Sequence, residues 1–405
     1  MRILLVTLEV PFPPVSGHRL HLWSLIKAMA EDGHELALVS LAQPGEEFQD
    51  LQPLRELVRR VDLIPSEAST SRGGDFLRRL RALPSTWPYA ASRYFSQGMT
   101  ACLRERLASD HFDVVVCDEM YPVVNLPPDL AVPVIVDTLH VAYVLLERYA
   151  RHLPSLFKRI YARIEARKMH RWEAAMCGRV AALGVCSELE GDLFRQLSPG
   201  VQVVMIPNVV DVGEYQLCLE AEERRVLFMG AMDWYPNQDA ANFFVGRILP
   251  HLHGMVSDFT FVVSGRNPPA DFRSRFELLH NVEVTGTVPD MRDEIARAAV
   301  CVVPLRIGSG TRLKILEAAA MGKPIVSTHL GAEGLEFVDG EEIILADVPE
   351  AFAAAVAGLL TNQAWRQRLG QAARRRVEQQ YSLMALREAL RTALNDSVGY
   401  TAGRP

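Results

Sequence analysis

What most constrains this chain is a recurring alternation of short, β-branched apolar runs with stretches of helical spacing. In the first half the runs are Ile3–Leu8, Leu36–Leu41, Val61–Ile64, Val114–Cys117, Val134–Val136, Val180–Cys186 and Val203–Ile206. Most lack the in-and-out alternation of a half-exposed sheet, so they read as parallel strands covered by helices on both faces. Between the first two, Leu20, Leu22, Leu25, Ile26 and Met29 fall at helical spacing. A strand, a Pro/Gly loop, a helix and a second strand make a right-handed βαβ opening. The pattern restarts at Val226–Met229 and continues through Phe261–Ser264, Val282–Val284, Val300–Pro304, Pro324–Ser327 and Ile343–Leu345. Before the restart lie Pro207-Asn208-Val209-Val210-Asp211 and the charged stretch Glu220–Arg225, the best linker. A length of 405 residues suits two domains of this kind. The expected fold class is α/β: two doubly wound domains, 1–207 and 208–385, facing each other across a cleft.

Charge excludes one class of partner. Residues 1–207 carry 23 Lys and Arg against 24 Asp and Glu, and residues 208–405 carry 20 against 25. Neither half is basic enough for a nucleic-acid groove. The six cysteines, at 102, 117, 177, 186, 218 and 301, show no C-x-x-C pair and no zinc spacing, as expected for reduced thiols in a cytoplasmic protein. No uncharged apolar run reaches the ~18–20 residues that span a bilayer. Glu9 and the prolines after it argue for a buried first strand over a signal peptide.

The most informative stretch runs from Val302 to Val326. A buried strand enters a turn with Gly308 and Gly310, a helix follows, and Gly322-Lys323-Pro324 ends it before the next strand. Ser309 or Thr311 is expected to cap that helix, whose N-terminus offers free N–H groups and a positive dipole end to an anion. Arg312 and Lys314 place two cations in the first turn, where the dipole disfavours them unless an anion compensates. Glu317 lies one turn beyond Lys314 on the same face, where a carboxylate can accept two hydrogen bonds from a vicinal diol such as a ribose. The dinucleotide fingerprint fails because position 313 is Leu, and no P-loop spacing exists.

The stretch Gly310-Thr-Arg-x-Lys-x-x-Glu317-Ala-x-Ala-x-Gly-x-Pro resembles the signature of retaining glycosyltransferase family 4, which has the GT-B fold. Other segments agree in order: Pro13-Pro14-x-x-Gly17, Gly33-His34-Glu35, Asp137-Thr-x-His140, Cys186-Ser187-Glu188, Ile206-Pro207-Asn208-x-Val-Asp211, Met229-Gly230 to Pro236-Asn237, Gly286-x-Val-Pro289-Asp290 and Tyr381-Ser382. Within the family the chain most resembles the bacterial branch serving exopolysaccharide and lipid-linked sugar assembly.

The resemblance implies a second domain that binds a nucleotide-sugar donor and a first that binds the acceptor, with residues 386–405 a helix and tail crossing back to the first domain. It implies Glu317 on the donor ribose and His140 near the transferring carbon. Gly17, Gly230, Arg266, Ser309, Gly310, Thr311 and Gly334 follow as donor contacts, and Glu119 as an acceptor contact. His34 reads better as a turn residue. Ser309 stands where the family carries the first Glu of its E-x7-E motif. Ala231 and Asn237 stand where many relatives carry an Arg and a Lys that grip the diphosphate. Arg312 and Lys314 are then the principal catalytic cations, with Arg266 third. No carboxylate nucleophile is evident for a double displacement. The expected reaction is a front-face displacement with retention, from a UDP-sugar by default, needing no metal or other cofactor.

The acceptor half carries two basic-aromatic segments. Residues 71–95 hold Arg72, Arg78, Arg79, Arg81 and Arg93 among Phe76, Leu77, Leu80, Trp87, Tyr89, Tyr94 and Phe95, with Asp75 opposing. Residues 145–175 hold eight Lys and Arg against three Glu. Such surfaces suit a lipid-linked or saccharide acceptor and a peripheral seat on the inner face of the plasma membrane. The alternatives are a small-molecule glycosyltransferase, a sugar-nucleotide epimerase and a non-catalytic sugar-nucleotide-binding protein.

Overall fold

The structure is a computed structural model that describes residues 1–43, 46, 50–66, 78, 79, 81–153, 155–220 and 224–401, with side chains to residue 397. Arg72, Asp75, Phe76, Leu77 and Leu80, and residues 221–223 of the charged linker stretch, lie outside the described residues. The chain divides into two compact units. Unit 1 comprises Met1–Asn208 with Leu386–Pro405, and unit 2 comprises Val209–Ala385.

Unit 1 is built on seven parallel strands: β1 (Arg2–Thr7), β2 (Glu35–Ala42), β3 (Arg60–Pro65), β4 (Val114–Asp118), β5 (Val134–Thr138), β6 (Ala182–Val185) and β7 (Val203–Met205). Their order is β3-β2-β1-β4-β5-β6-β7. β1, β4 and β5 are buried almost end to end, which explains their unbroken apolar sequence. Helix α1 (Gly17–Glu31) returns the chain from β1 to β2, with Ser16 capping it through the Arg19 amide. Between β5 and β6 the chain makes a helical hairpin, α2 (Ala142–His152) and α3 (Leu156–Cys177).

Unit 2 has six parallel strands: β8 (Arg225–Met229), β9 (Thr260–Ser264), β10 (Val282–Gly286), β11 (Val300–Val303), β12 (Ile325–Ser327) and β13 (Ile344–Leu345). Their order, β10-β9-β8-β11-β12-β13, repeats the topology of unit 1. Helices α4 (Tyr235–Phe243) and α5 (Leu313–Ala320) follow β8 and β11. The core packs Phe244 on Phe261 with ring centroids 4.0 Å apart. Each such buried side chain contributes about 1.5–3 kcal/mol. Every expected strand is present, with ends shifted by no more than two residues.

The last helix, α6 (Leu383–Thr401), is tied to unit 1. Asp32, just beyond α1, accepts hydrogen bonds from Arg387 Nε and Arg391 Nε, each at 2.7 Å. In both sheets the strand order reverses between the first strand and the fourth, at β1/β4 and at β8/β11. In open parallel sheets that reversal leaves a crevice beyond the carboxyl ends of the strands, the usual place for a ligand.

Candidate active site

In unit 2 the reversal is lined by the loops after β8 and β11. Gly230 ends β8 with φ +157°, and a Cβ there would lie 2.7 Å from Asn237 Nδ2 and 2.9 Å from Lys314 Nζ. A Cβ on Gly265 would lie 1.9 Å from the Gly230 carbonyl, so the loops after β8 and β9 touch backbone to backbone. Both glycines are therefore dictated by crowding.

Lys314 stands at the start of α5. Its ammonium donates to Asn237 Oδ1 at 2.8 Å and lies 4.7 Å from the centre of the Phe228 ring. Asn237 in turn donates from Nδ2 to the Ala231 carbonyl at 2.9 Å. Ala231 and Asn237, which break the family's cation pattern, thus join into one relay that ends on Lys314. Burial first, and the nearby Arg312 second, lower the lysine to about 7, against a smaller opposing pull from Glu317. Near neutrality Lys314 is therefore poised to take up a proton when an anion arrives.

Helix α5 starts later than its sequence suggests. Arg312, with extended backbone, occupies the N-cap position that the sequence assigns to Ser309 or Thr311. The cause lies in the turn: Gly310 sits at φ +83° and swings the chain outward before the helix begins. Arg312 is buried, and its guanidinium donates to the Ser309 carbonyl at 2.9 Å and the Leu330 carbonyl at 3.4 Å. It braces the loops after β11 and β12 against each other.

Glu317 accepts a hydrogen bond from the Tyr215 hydroxyl at 3.0 Å. Burial raises its pKa, while Tyr215 and Lys314 partly offset that rise. Arg266 follows Gly265, and its Nε is buried with no hydrogen-bond partner among the described residues. Gly334 turns at φ +80° in the loop after β12.

Unit 1 presents a different chemistry at its own reversal. Glu119, after β4, adopts φ +63°, a left-handed conformation that non-glycine residues rarely take and that recurs at functional sites. Its carboxylate accepts from Thr138 Oγ1 at 3.1 Å and the Leu139 amide at 3.3 Å, and meets His140 Nδ1 at 3.1 Å. Read from sequence as an acceptor contact, Glu119 is buried and turned onto His140. Burial works against the imidazolium, yet Glu119 outweighs it and holds His140 at about 9. His140 is therefore a cationic donor near neutrality, not a base. Next to it, buried Glu173 takes the Ala142 and Tyr143 amides at the start of α2, and burial lifts it to about 7.

Sequence reasoning missed a second cluster. His18, in the first turn of α1, bridges Glu9 Oε1 at 2.6 Å and Asp118 Oδ1 at 2.7 Å, spanning the strand reversal. Burial opposes its charge, but the two carboxylates raise it well above an ordinary histidine. Arg19 donates to the other oxygen of Glu9 at 2.9 Å and pairs with Glu46. Beneath them His21 Nε2 meets Asp137 Oδ2 at 2.6 Å, both side chains fully buried. Gly17, at the start of α1, is exposed. His34 contacts the amino terminus at 3.2 Å, as a turn residue does.

Two doubly wound units in tandem, each with its own strand reversal, give the chain the architecture of the GT-B fold. A family model described as Glycosyltransferase Family 4 matches residues 15–214, and one described as Glycosyl transferases group 1 matches residues 223–362. The chain belongs to this family of glycosyltransferases. The glycogen synthase of Mycobacterium tuberculosis is 23% identical over 393 residues, spanning 93% of this chain and 90% of that protein. The sucrose-phosphate synthase of Thermosynechococcus elongatus has the same fold, with TM-score 0.74 at 18% identity over 100% of both chains. So does Anabaena HepE, solved with UDP and glucose, with TM-score 0.66 at 13% identity over 98% of this chain and 99% of that one.

Proposed function

We propose that this enzyme moves a sugar from a nucleoside-diphosphate sugar, with uridine the favoured base, to a hydroxyl of a lipid-linked or saccharide acceptor, with retention of anomeric configuration. The observation that carries this reading is the seat formed by Gly230, Asn237 and Lys314 at the strand reversal of unit 2. A glycine leaves room, an amide holds the ammonium, and the ammonium stands at a helix N-terminus, where a diphosphate is favoured by dipole and charge together. Glu317, one turn on, suits the ribose diol, and the bound UDP of HepE supports the choice of base.

In the reaction the bond from the anomeric carbon to the β-phosphate oxygen breaks and that oxygen keeps the electron pair. The acceptor oxygen bonds the same carbon on the same face and gives its proton to the departing phosphate. Charge grows on the diphosphate as the bond breaks, and Lys314 meets it with a full proton. Fixed donors placed where charge develops are each worth about 10²–10³ in rate. His140, protonated by its pairing with Glu119, donates to a sugar oxygen and removes no proton.

The reading is tested by incubating the enzyme with UDP-, GDP-, ADP- and dTDP-sugars and an alcohol acceptor, following nucleotide release and reading the product's anomer by NMR. Release of one nucleoside diphosphate with a retained glycoside supports it. An inverted glycoside, or an epimerised nucleotide sugar formed without acceptor, overturns it.

A further inference from the structure

The helical hairpin of unit 1 carries a surface that the transfer chemistry does not use. At its tip three large apolar side chains stand in the open: Leu156 is 71% exposed, Phe157 61% and Ile160 48%. They begin α3, and the same helix face continues through Arg163, Arg167 and Arg171, all exposed. The spacing 156, 160, 163, 167, 171 follows steps of four, three, four and four, which keeps these side chains on one stripe of a 3.6-residue helix. The stripe is therefore graded along its length, apolar at the tip and cationic behind it. Arg151 and Lys158 add two more exposed cations beside the tip. Across 142–177 the only exposed carboxylate among the described residues is Glu147, since Glu165 and Glu173 are buried and engaged by backbone amides.

Burial of the opposite face explains why the hairpin stands firm without covering its tip. Ala162, Ala166, Met169 and Trp172 are buried against unit 1, and Trp172 stacks on Tyr121 with centroids 5.7 Å apart. Beside the cationic stretch lies a cavity of about 580 Å³, lined by Trp87, Arg167, Lys168, Arg171, Trp172 and Met176 among others. Trp87 is 41% exposed. Apolar tip, cationic band and flanking tryptophan follow the layering of a bilayer surface from acyl boundary outward.

We infer that the α2–α3 hairpin seats the enzyme on an anionic lipid surface, with Leu156, Phe157 and Ile160 entering the acyl boundary and Arg163, Arg167 and Arg171 meeting lipid phosphates. The dimensions agree. At 1.5 Å per residue, Arg163 and Arg167 stand roughly 5 and 10 Å behind Ile160, the depth range over which interfacial helices bury an apolar face. Charge complementarity decides the occupant: five exposed cations against one exposed carboxylate fit an anionic headgroup layer, whereas a second copy of the same surface would set cation against cation. The hairpin dips in by its tip and does not cross the membrane, since no helix among the described residues is long and apolar enough to span one. This inference is independent of the donor and of the transfer reaction.

The test is cosedimentation of the full chain with phosphatidylcholine vesicles, made with and without phosphatidylglycerol. The expected result is binding to the anionic vesicles alone, weakening as salt rises. Leu156→Ser, Phe157→Ser and Ile160→Ser together should reduce partitioning at least about tenfold. Arg163→Glu with Arg167→Glu should reduce it by roughly fivefold or more for each cation lost. All these positions are exposed, so unchanged circular dichroism and melting temperature will show that the variants fold. Equal sedimentation of wild type and both variants, or no binding to anionic vesicles, overturns the inference. So does a dimer in light scattering that the apolar triple variant abolishes.

Discussion

The two strand reversals share one topology and have opposite electrostatics. In unit 1 carboxylates crowd the edge and four of them are answered by a histidine: Glu9 and Asp118 by His18, Glu119 by His140, Asp137 by His21. In unit 2 a lysine lowered to about 7 stands beside a neutral amide and a bare glycine backbone. A saturated edge holds its own charges in place and is suited to orient neutral hydroxyls. An edge with a lysine short of its full charge is suited to receive an anion. The fold supplies the same crevice twice, and the side chains decide what each one accepts.

The largest effect expected from this contrast is on turnover. Lys314→Met should lower kcat by about 10²–10³ while donor KM changes less, because the lysine's full charge is demanded as the diphosphate departs. Steady-state kinetics on the variant measures this. An equal loss in KM with kcat unchanged would make Lys314 a binding residue only.

Breaking the unit 1 side should show in stability. His140 is held at about 9, above the ordinary histidine value near 6.5, so its pairing with Glu119 stabilises the fold fully below about pH 6.5 and fades as pH rises through about 9. The shift corresponds to about 3 kcal/mol. The stability gap between wild type and Glu119→Gln, from urea unfolding at several pH values, should therefore be widest in mild acid and close toward pH 9. A gap independent of pH would mean that Glu119 acts through the hydrogen bonds it accepts from Thr138 and Leu139, not through the charge of His140.

A subtler change converts the unit 2 edge toward the logic of unit 1. Asn237→Asp puts a carboxylate against the Lys314 ammonium and should raise the lysine by about 1–3 units. Diphosphate binding to wild type should weaken as pH climbs past about 7, and in the variant that fall should move to higher pH although affinity is lower throughout. A fall at the same pH in both proteins would place the titrating group elsewhere. The smallest effect is expected from Asp32→Ala, which removes the anchor of Arg387 and Arg391 on α6. Both arginines reach solvent, so screening keeps the contribution small, to be read as a slight drop in the urea midpoint.

The sheets were legible in sequence because parallel strands buried on both faces need unbroken apolar runs, as Val114–Val116 and Val300–Val303 show. The motif from Gly310 to Glu317 was legible for the same local reason: a turn, a helix start and its charges lie within one stretch of chain. Its cap was misplaced because the φ of Gly310 depends on the loops packed around it. The cluster of Glu9, His18 and Asp118 could not be read, since the last lies 100 residues beyond the second and meets it only because β4 pairs with β1. Asn237 and Lys314 are 77 residues apart, and Asn237 looked like a lost cation until its amide was seen to hold one.

The most direct test of the account is a calorimetric titration of the wild-type enzyme with UDP, GDP, ADP and dTDP, with and without EDTA, in buffers of different ionisation enthalpy near neutral pH. The account predicts that one nucleoside diphosphate binds regardless of EDTA and that binding takes up part of a proton, as Lys314 gains the charge its burial withholds. Binding of none of them, or binding with no proton uptake, would contradict it.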